Sequence, residues 1–358
     1  MNAQEVEELI ATLSSRGSSK LRRSLTGIEL NVHSLRHSLT MAAKWRQLGY
    51  SPFIPDAAGY TALHRAAMKG DETLIKSLLG TYEGNVQEFC MMATIKQGQT
   101  AMHMACKGSH LNAIRALNTV QNGRQLLCAK DAHGNTPLHF AATSNLTNAV
   151  PVLMYLLPFM SANRLNDYNH HGLSPLAAHI STTTVDNPFI TRLFLERQVD
   201  PNSWVRKENT LLHVAVERKL WKIAGCLLEF GAEWNIADNN DMMVTDLINE
   251  EEISFLIKFV ANCKDWATSI RKSCQSCHRN FNFLRRRHHC RFCGRVLCSK
   301  CSNYKRSLHV DGKNKSTFVR VCHLCVHAIP DEVSGKSTTD VTLEDPTIME
   351  ASYSYMLQ

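Results

Sequence analysis

The chain has 358 residues, 44% hydrophobic and 20% charged, with a net charge of +8. No run of ~18 apolar residues occurs, which argues against a membrane-spanning helix; the opening stretch carries Glu5, Glu7 and Glu8 and no apolar core, which argues against a secretory signal. A cytosolic chain is expected, and in reducing surroundings its 13 cysteines read as metal ligands or buried thiols rather than disulfides.

Residues 1–50 place Val6, Leu9, Ile10 and Leu13 on one helical face, and Leu39, Ala42, Ala43 and Trp45 on another. A flexible Ser/Arg-rich stretch, Ser14 to Ser24, separates them. This segment is expected to form an N-terminal helical cap, since its glutamates oppose a membrane-surface helix.

A repeat follows. Gly59-Tyr60-Thr61-Ala62-Leu63-His64 recurs as Gly98-Gln99-Thr100-Ala101-Met102-His103 and as Gly134-Asn135-Thr136-Pro137-Leu138-His139. Further copies are Gly172-Leu173-Ser174-Pro175-Leu176-Ala177, Asn209-Thr210-Leu211-Leu212-His213 and a worn Val244-Thr245-Asp246-Leu247. The Thr/Ser positions step by 39, 36, 38, 36 and 35 residues. Thr or Ser is placed to cap a helix with its hydroxyl. Pro137 and Pro175 occupy the first helical position, where proline is tolerated. The Leu and Ala-Ala that follow make a short helix that neighbours can approach closely. A longer apolar helix comes next, as in Leu74-Ile75-Leu78-Leu79 or Ile223-Ala224-Leu227-Leu228, and Gly231-Ala232 ends the fifth. Over roughly residues 56–260 this pattern resembles the ankyrin repeat. Copy four departs with Ala177 at the histidine position, and copy six fits a terminal capping repeat. The resemblance implies an α-solenoid over 51–262 that presents its concave face to a protein partner.

Charge is uneven. Residues 264–327 hold 15 Lys/Arg against 2 Asp/Glu, whereas residues 328–358 hold 1 against 6. The basic segment predicts an anionic partner; the acidic tail, 330–358, reads as disordered. The basic segment also holds four Cys-x-x-Cys pairs: Cys274/Cys277, Cys290/Cys293, Cys298/Cys301 and Cys322/Cys325. Each pair offers half of a tetrahedral thiolate site, so four pairs complete two zinc centres without histidine. Pairs two and three are only five residues apart, Cys293 to Cys298. A cross-braced arrangement is expected, with pairs one and three on one ion and pairs two and four on the other. The remaining cysteines, Cys90, Cys106, Cys128, Cys226 and Cys263, read as small core residues.

Around the pairs stand Arg285-Arg286-Arg287-His288-His289-Cys290-Arg291 and Arg320-Val321-Cys322. These look like the R-R-H-H-C-R and R-V-C strands of the FYVE finger. The resemblance covers about 60 residues, within a 263–329 domain of short β-hairpins and a terminal helix. It implies two zinc ions and binding of phosphatidylinositol 3-phosphate. Arg286, Arg287, Arg291 and Arg320 would hold phosphates by paired donors, and His288 and His289 would donate to the 3-phosphate or ring hydroxyls. Imidazoles near their ordinary pKa of ~6.5 would then bind more tightly at mildly acidic pH. The resemblance further implies that the loop before the basic strand dips into the bilayer with Phe283 and Leu284 at its tip, Phe281 staying in the core. The sequence departs from the family's W-x-x-D element, with Ser269 following Trp266, which bears on headgroup selectivity. The gap from Cys301 to Cys322 is long, and Asp311-Gly312 suggests a turn in an extended β-ribbon.

No catalytic constellation emerges, and Gly335-Lys336-Ser337 lacks the upstream glycine of a phosphate-binding loop. A nucleic-acid finger is disfavoured because no base-reading helix accompanies the cysteines. The remaining rival is a RING-like ubiquitin ligase using the cross-braced zinc module, for which the R-R-H-H-C-R strand has no role. The expectation is a non-enzymatic adaptor, cytoplasmic and peripheral on the early endosome membrane, with a weak dimer as one source of avidity.

Overall fold

The structure is a computed structural model that describes residues 52–56, 59–82, 84–119, 123–260, 271–309 and 316–328. The expected N-terminal cap, Trp266 and Ser269, the Asp311-Gly312 turn and the acidic tail lie outside the described residues. The chain forms two compact units, an N-terminal one and a second that begins at Arg271.

The first unit is a stack of helix pairs: α1 (Ala62–Lys69) and α2 (Glu72–Thr81), α4 (Ala101–Lys107) and α5 (Leu111–Asn118), and α7 (Pro137–Thr143) and α8 (Ala149–Leu156). The stack continues with α10 (Pro175–Thr182) and α11 (Phe189–Leu195), α12 (Leu211–Glu217) and α13 (Trp221–Glu229), and α14 (Val244–Leu247) and α15 (Glu250–Leu256). Three short helices fill the loops after the first three pairs: α3 (Val86–Met91), α6 (Gly123–Leu126) and α9 (Ala162–Leu165). They account for steps longer than the usual ~33 residues.

The first helix of each pair buries Leu63 with Ala66-Ala67, Met102 with Ala105-Cys106, Leu138 with Ala141-Ala142, and Leu212 with Ala215. Small side chains at these positions let successive first helices pack backbone to backbone. The second helices add Ile75 and Leu78, Ile114 and Leu117, Val152 and Leu156, and Ile223 and Leu227. Gly231 ends α13 at φ +91°, with its amide and that of Ala232 returning to the carbonyls of Leu228 (3.0 Å) and Leu227 (2.9 Å). Burial raises the thiol pKa values of Cys90 and Cys226 to about 12 and about 11, as expected of inert core residues.

The histidines do more than the sequence pattern implies. In four copies the Thr hydroxyl lies 2.8–2.9 Å from the Nδ1 of the histidine three residues on, at Thr61/His64, Thr100/His103, Thr136/His139 and Thr210/His213. The expected cap to the third helical amide is long, 3.5 Å at Thr61, and shorter at Ser174, where no histidine competes (Ala177 N–H to Oγ, 3.2 Å). Each histidine's Nε2 meets a carbonyl oxygen of the next copy, at Gln99, Asn135, Leu173 and Met242, at 3.0–3.2 Å. A carbonyl only accepts, so Nε2 carries the proton and Nδ1 is the acceptor. Burial, partly offset by these carbonyl bonds, holds all four rings below the ordinary imidazole pKa and therefore neutral. Copy four differs: His179, two residues past Ala177, donates from Nδ1 back to the carbonyl of Ala142 at 2.9 Å, and burial pushes its pKa down to about 4.

The tight loops before each pair form a second ladder. Asp131 Oδ1 accepts from the amides of His133 and Asn135, Asn169 Oδ1 from His171 and Leu173, and Asp238 Oδ1 from Asn240 and Met242, all at 2.8–3.0 Å. Neighbouring loops are tied by one amide each, such as Ala132 to Gln97 (2.8 Å) and His170 to His133 (2.9 Å). In the fifth copy the loop is a minimal hairpin, β1 (Trp204–Val205) with β2 (Asn209–Thr210).

The second unit holds β3 (His288–His289) antiparallel to β4 (Val296–Leu297), a six-residue ribbon of β5 (Tyr304–His309) and β6 (Ser316–Val321), and α16 (His323–Ala328). The long gap between Cys301 and Cys322 is therefore an extended ribbon followed by a terminal helix, as the sequence suggests.

Candidate zinc centres and basic face

The eight paired cysteines gather into two groups, Cys274, Cys277, Cys298 and Cys301, and Cys290, Cys293, Cys322 and Cys325. Within each, all sulfur atoms lie within 4.8 Å of one another. This is the cross-braced pairing, first with third and second with fourth. The Cys277 and Cys298 sulfurs are 3.8 Å apart, which matches the edge of a tetrahedron whose metal–sulfur bonds are ~2.3 Å. Backbone amides point at the sulfurs: Cys298 N–H at Cys274 (3.3 Å), Cys322 N–H at Cys290 (3.2 Å) and Cys325 N–H at Cys322 (3.4 Å). Such bonds favour thiolate, the form that binds zinc. All-sulfur donor sets of this size, the second fully buried and the first with Cys277 and Cys301 half-buried, suit two structural zinc ions.

The zinc ligands also set the basic face. Arg286 and Arg287 lead into β3, whose pairing with β4 aligns His288 with Leu297 and His289 with Val296. Past Cys290, the amide of Arg291 donates to the carbonyl of Arg320 at 2.8 Å and brings the R-R-H-H-C-R segment beside the R-V-C strand. His288 registers the convergence: burial lowers its pKa first, and the positive charges of Arg320, His289 and Arg286 lower it further. Arg320 is anchored by Nη1 to the carbonyl (3.3 Å) and hydroxyl (3.4 Å) of Ser302. Arg287 donates from Nε to the carbonyl of Arg271 at 3.0 Å and lies over the Phe281 ring at 5.5 Å. Phe281 is thus half-buried under a cation rather than sealed in a core.

Ahead of this strand, Asn282 closes a tight turn, its Oδ1 accepting from the amides of Leu284 (3.1 Å) and Arg285 (2.8 Å). The turn leaves Phe283 89% and Leu284 91% exposed. A short rigid turn that lifts two large apolar side chains into solvent serves no purpose in folding. Lys305, which the motif reading does not single out, stands directly opposite Arg320 in the ribbon; only the strand register reveals it.

Comparison with known proteins agrees with this geometry. The family described as FYVE zinc finger matches residues 265–331, that described as ankyrin repeats (3 copies) matches 39–121 and 63–159, and a single ankyrin repeat matches 207–239. The chain is 49% identical over 59 residues to Lateral signaling target protein 2 of Caenorhabditis briggsae, which covers 16% of this chain and 9% of that one. It is 40% identical over 76 residues to 1-phosphatidylinositol 3-phosphate 5-kinase FAB1 of Saccharomyces cerevisiae, 20% of this chain and 3% of that one. It therefore spans less than a tenth of these relatives' length. Among solved structures, the ankyrin repeat domain of Bcl-3 superposes with a TM-score of 0.50 at 20% identity, covering 68% of this chain and 99% of that one, a likeness of fold. Repeats, cysteine clusters and family matches coincide: this chain carries ankyrin repeats and, C-terminal to them, a FYVE zinc finger.

Proposed function

We propose that the chain is a non-enzymatic adaptor recruited to phosphatidylinositol 3-phosphate on endosomal membranes by its finger, peripherally, while the ankyrin unit takes a protein partner. The observation that carries the reading is the exposed Phe283–Leu284 turn, joined directly to a segment where Arg286, Arg287, Arg291, Arg320, His288 and His289 are gathered. Arginine forks match a phosphomonoester, and burying each apolar tip residue contributes about 1.5–3 kcal/mol. The FYVE match supports the lipid class. No helix among the described residues is long and apolar enough to cross a membrane, in keeping with surface attachment. On the ankyrin unit, the loop tips expose Ile95, Lys96, His133, His171 and Lys207 for a partner.

The test is co-sedimentation of the zinc-loaded full chain with phosphatidylcholine/phosphatidylserine vesicles, each carrying one phosphoinositide. Binding selective for the 3-phosphate is expected. Arg287→Ala should weaken it tenfold or more, about 1.5–3 kcal/mol for a charge-assisted contact. Replacing Phe283 and Leu284 together by serine should weaken vesicle binding roughly a hundredfold or more while preserving binding of a soluble short-chain lipid. Binding that only tracks vesicle charge would overturn the selectivity, and no binding at all would favour the ubiquitin-ligase reading.

A further inference from the structure

The second unit exposes another large apolar side chain that its packing does not use. Phe318 is 78% exposed on β6. The ribbon's register sets Tyr304 opposite Val321 and Lys305 opposite Arg320. Side chains alternate across a strand, and directly opposed residues project to the same side. Phe318, Arg320 and Lys305 therefore share one face. The other face is occupied: Val321 is fully buried, and Arg306 donates from Nε to the carbonyl of Val326 in α16 at 3.1 Å.

Two features of the Phe318 face point to an anionic surface. Lys305 and Arg320 are like charges directly opposed across an antiparallel pair, which repel one another; with one Arg320 nitrogen tied to Ser302, an anion above the pair would relieve that repulsion. Phe318 is an isolated aromatic among cations, too small a patch for a stable protein interface. An aromatic ring at the acyl boundary with cationic stems reaching the headgroups is how peripheral proteins hold an anionic leaflet. The face adjoins the basic segment, because it contains Arg320, whose carbonyl receives the Arg291 amide.

We propose that Phe318 is a second membrane-inserting residue, with Lys305 contacting anionic headgroups beside it, so that the finger holds the bilayer through the β5–β6 ribbon as well as the Phe283–Leu284 turn. This rests on the lipid-anchor reading. It offers a single chain a second apolar contact in place of the avidity of a dimer.

Full-length zinc-loaded chains carrying Phe318→Ser, Phe318→Leu and Phe318→Trp would be titrated with vesicles of phosphatidylcholine, phosphatidylserine and phosphatidylinositol 3-phosphate, and separately with soluble short-chain phosphatidylinositol 3-phosphate. Vesicle affinity should rank Trp, Phe, Leu, Ser, with a loss of roughly tenfold or more at serine, while soluble-lipid binding stays level. Lys305→Ala should weaken vesicle binding most in phosphatidylserine-rich vesicles. Equal vesicle affinity across the Phe318 series would overturn the proposal and leave the anchor reading intact. A wild type that ignores the 3-phosphate in both formats would overturn the anchor reading and this proposal with it. Sedimentation velocity guards the remaining case: a wild-type dimer that Phe318→Ser converts to monomer would assign the residue to a second copy of the chain and overturn the membrane role.

Discussion

The two units reach stability by opposite routes. The ankyrin unit buries a continuous apolar core, with Leu63, Met102, Leu138, Leu176 and Leu212 following one another along the first helices, and it spends its polar groups on ladders between neighbours. The finger's buried interior consists largely of cysteine, with Val296, Leu297, Val321 and Val326 around it. A segment that small cannot bury enough apolar surface alone, and the metal supplies what the core lacks. The finger is thereby free to expose Phe283, Leu284 and Phe318, side chains that a core-stabilised domain of the same length would need inside.

Chelation should break the comparison most sharply. Structural zinc contributes about 10–16 kcal/mol of apparent folding free energy in small fingers. Excess chelator should therefore unfold residues 271–328, seen as amide exchange throughout the finger, while protection in α4, α7 and α12 is unchanged. Loss of protection in both units would refute independent stabilisation.

A change at the loop ladder should do the reverse. Gly134 has φ +75°, and a Cβ there would stand 2.8 Å from the His170 ring and 3.0 Å from its amide nitrogen. Gly134→Val adds a β-branched side chain in a left-handed conformation, a cost of about 3 kcal/mol. Urea unfolding of the ankyrin transition should shift accordingly, with zinc content and vesicle binding preserved.

The smallest expected effect is pH dependence of the ankyrin unit. His179 is held neutral, with a folded pKa of about 4 against ~6.5 unfolded. The unfolded chain takes up the proton first, so the stabilisation is complete above pH ~6.5 and declines as pH falls toward the folded value. Between pH 7 and 5 this residue alone should cost about 2 kcal/mol, and His64, His103, His139 and His213 act in the same direction. Denaturant midpoints at the two pH values check this, and His179→Gln should reduce the difference.

Much of this was legible in the residues. Thr or Ser at steps of 35 to 39 residues, followed in four copies by histidine three positions on, announces a stack of helix pairs, because a helix start that needs the same cap each time comes from the same local structure. Four Cys-x-x-Cys pairs announce two zinc ions because each turn delivers two thiolates and each ion needs four. These are short-range facts, written in neighbouring residues.

The rest depends on residues far apart in the chain. Each histidine proves to be a neutral Nε2 donor to the next copy because its partner carbonyl lies 29 to 35 residues away. The cross-brace was an expectation from spacing, and folding brought Cys277 within 3.8 Å of Cys298, 21 residues on. Helices α3, α6 and α9 went unread because short helices carry weak periodicity and gain their stability from the pairs they pack against. Phe318 and Lys305 gave no sequence signal at all. Their shared face follows from the β5–β6 register, and register is a property of two strands together, which neither strand's sequence contains alone.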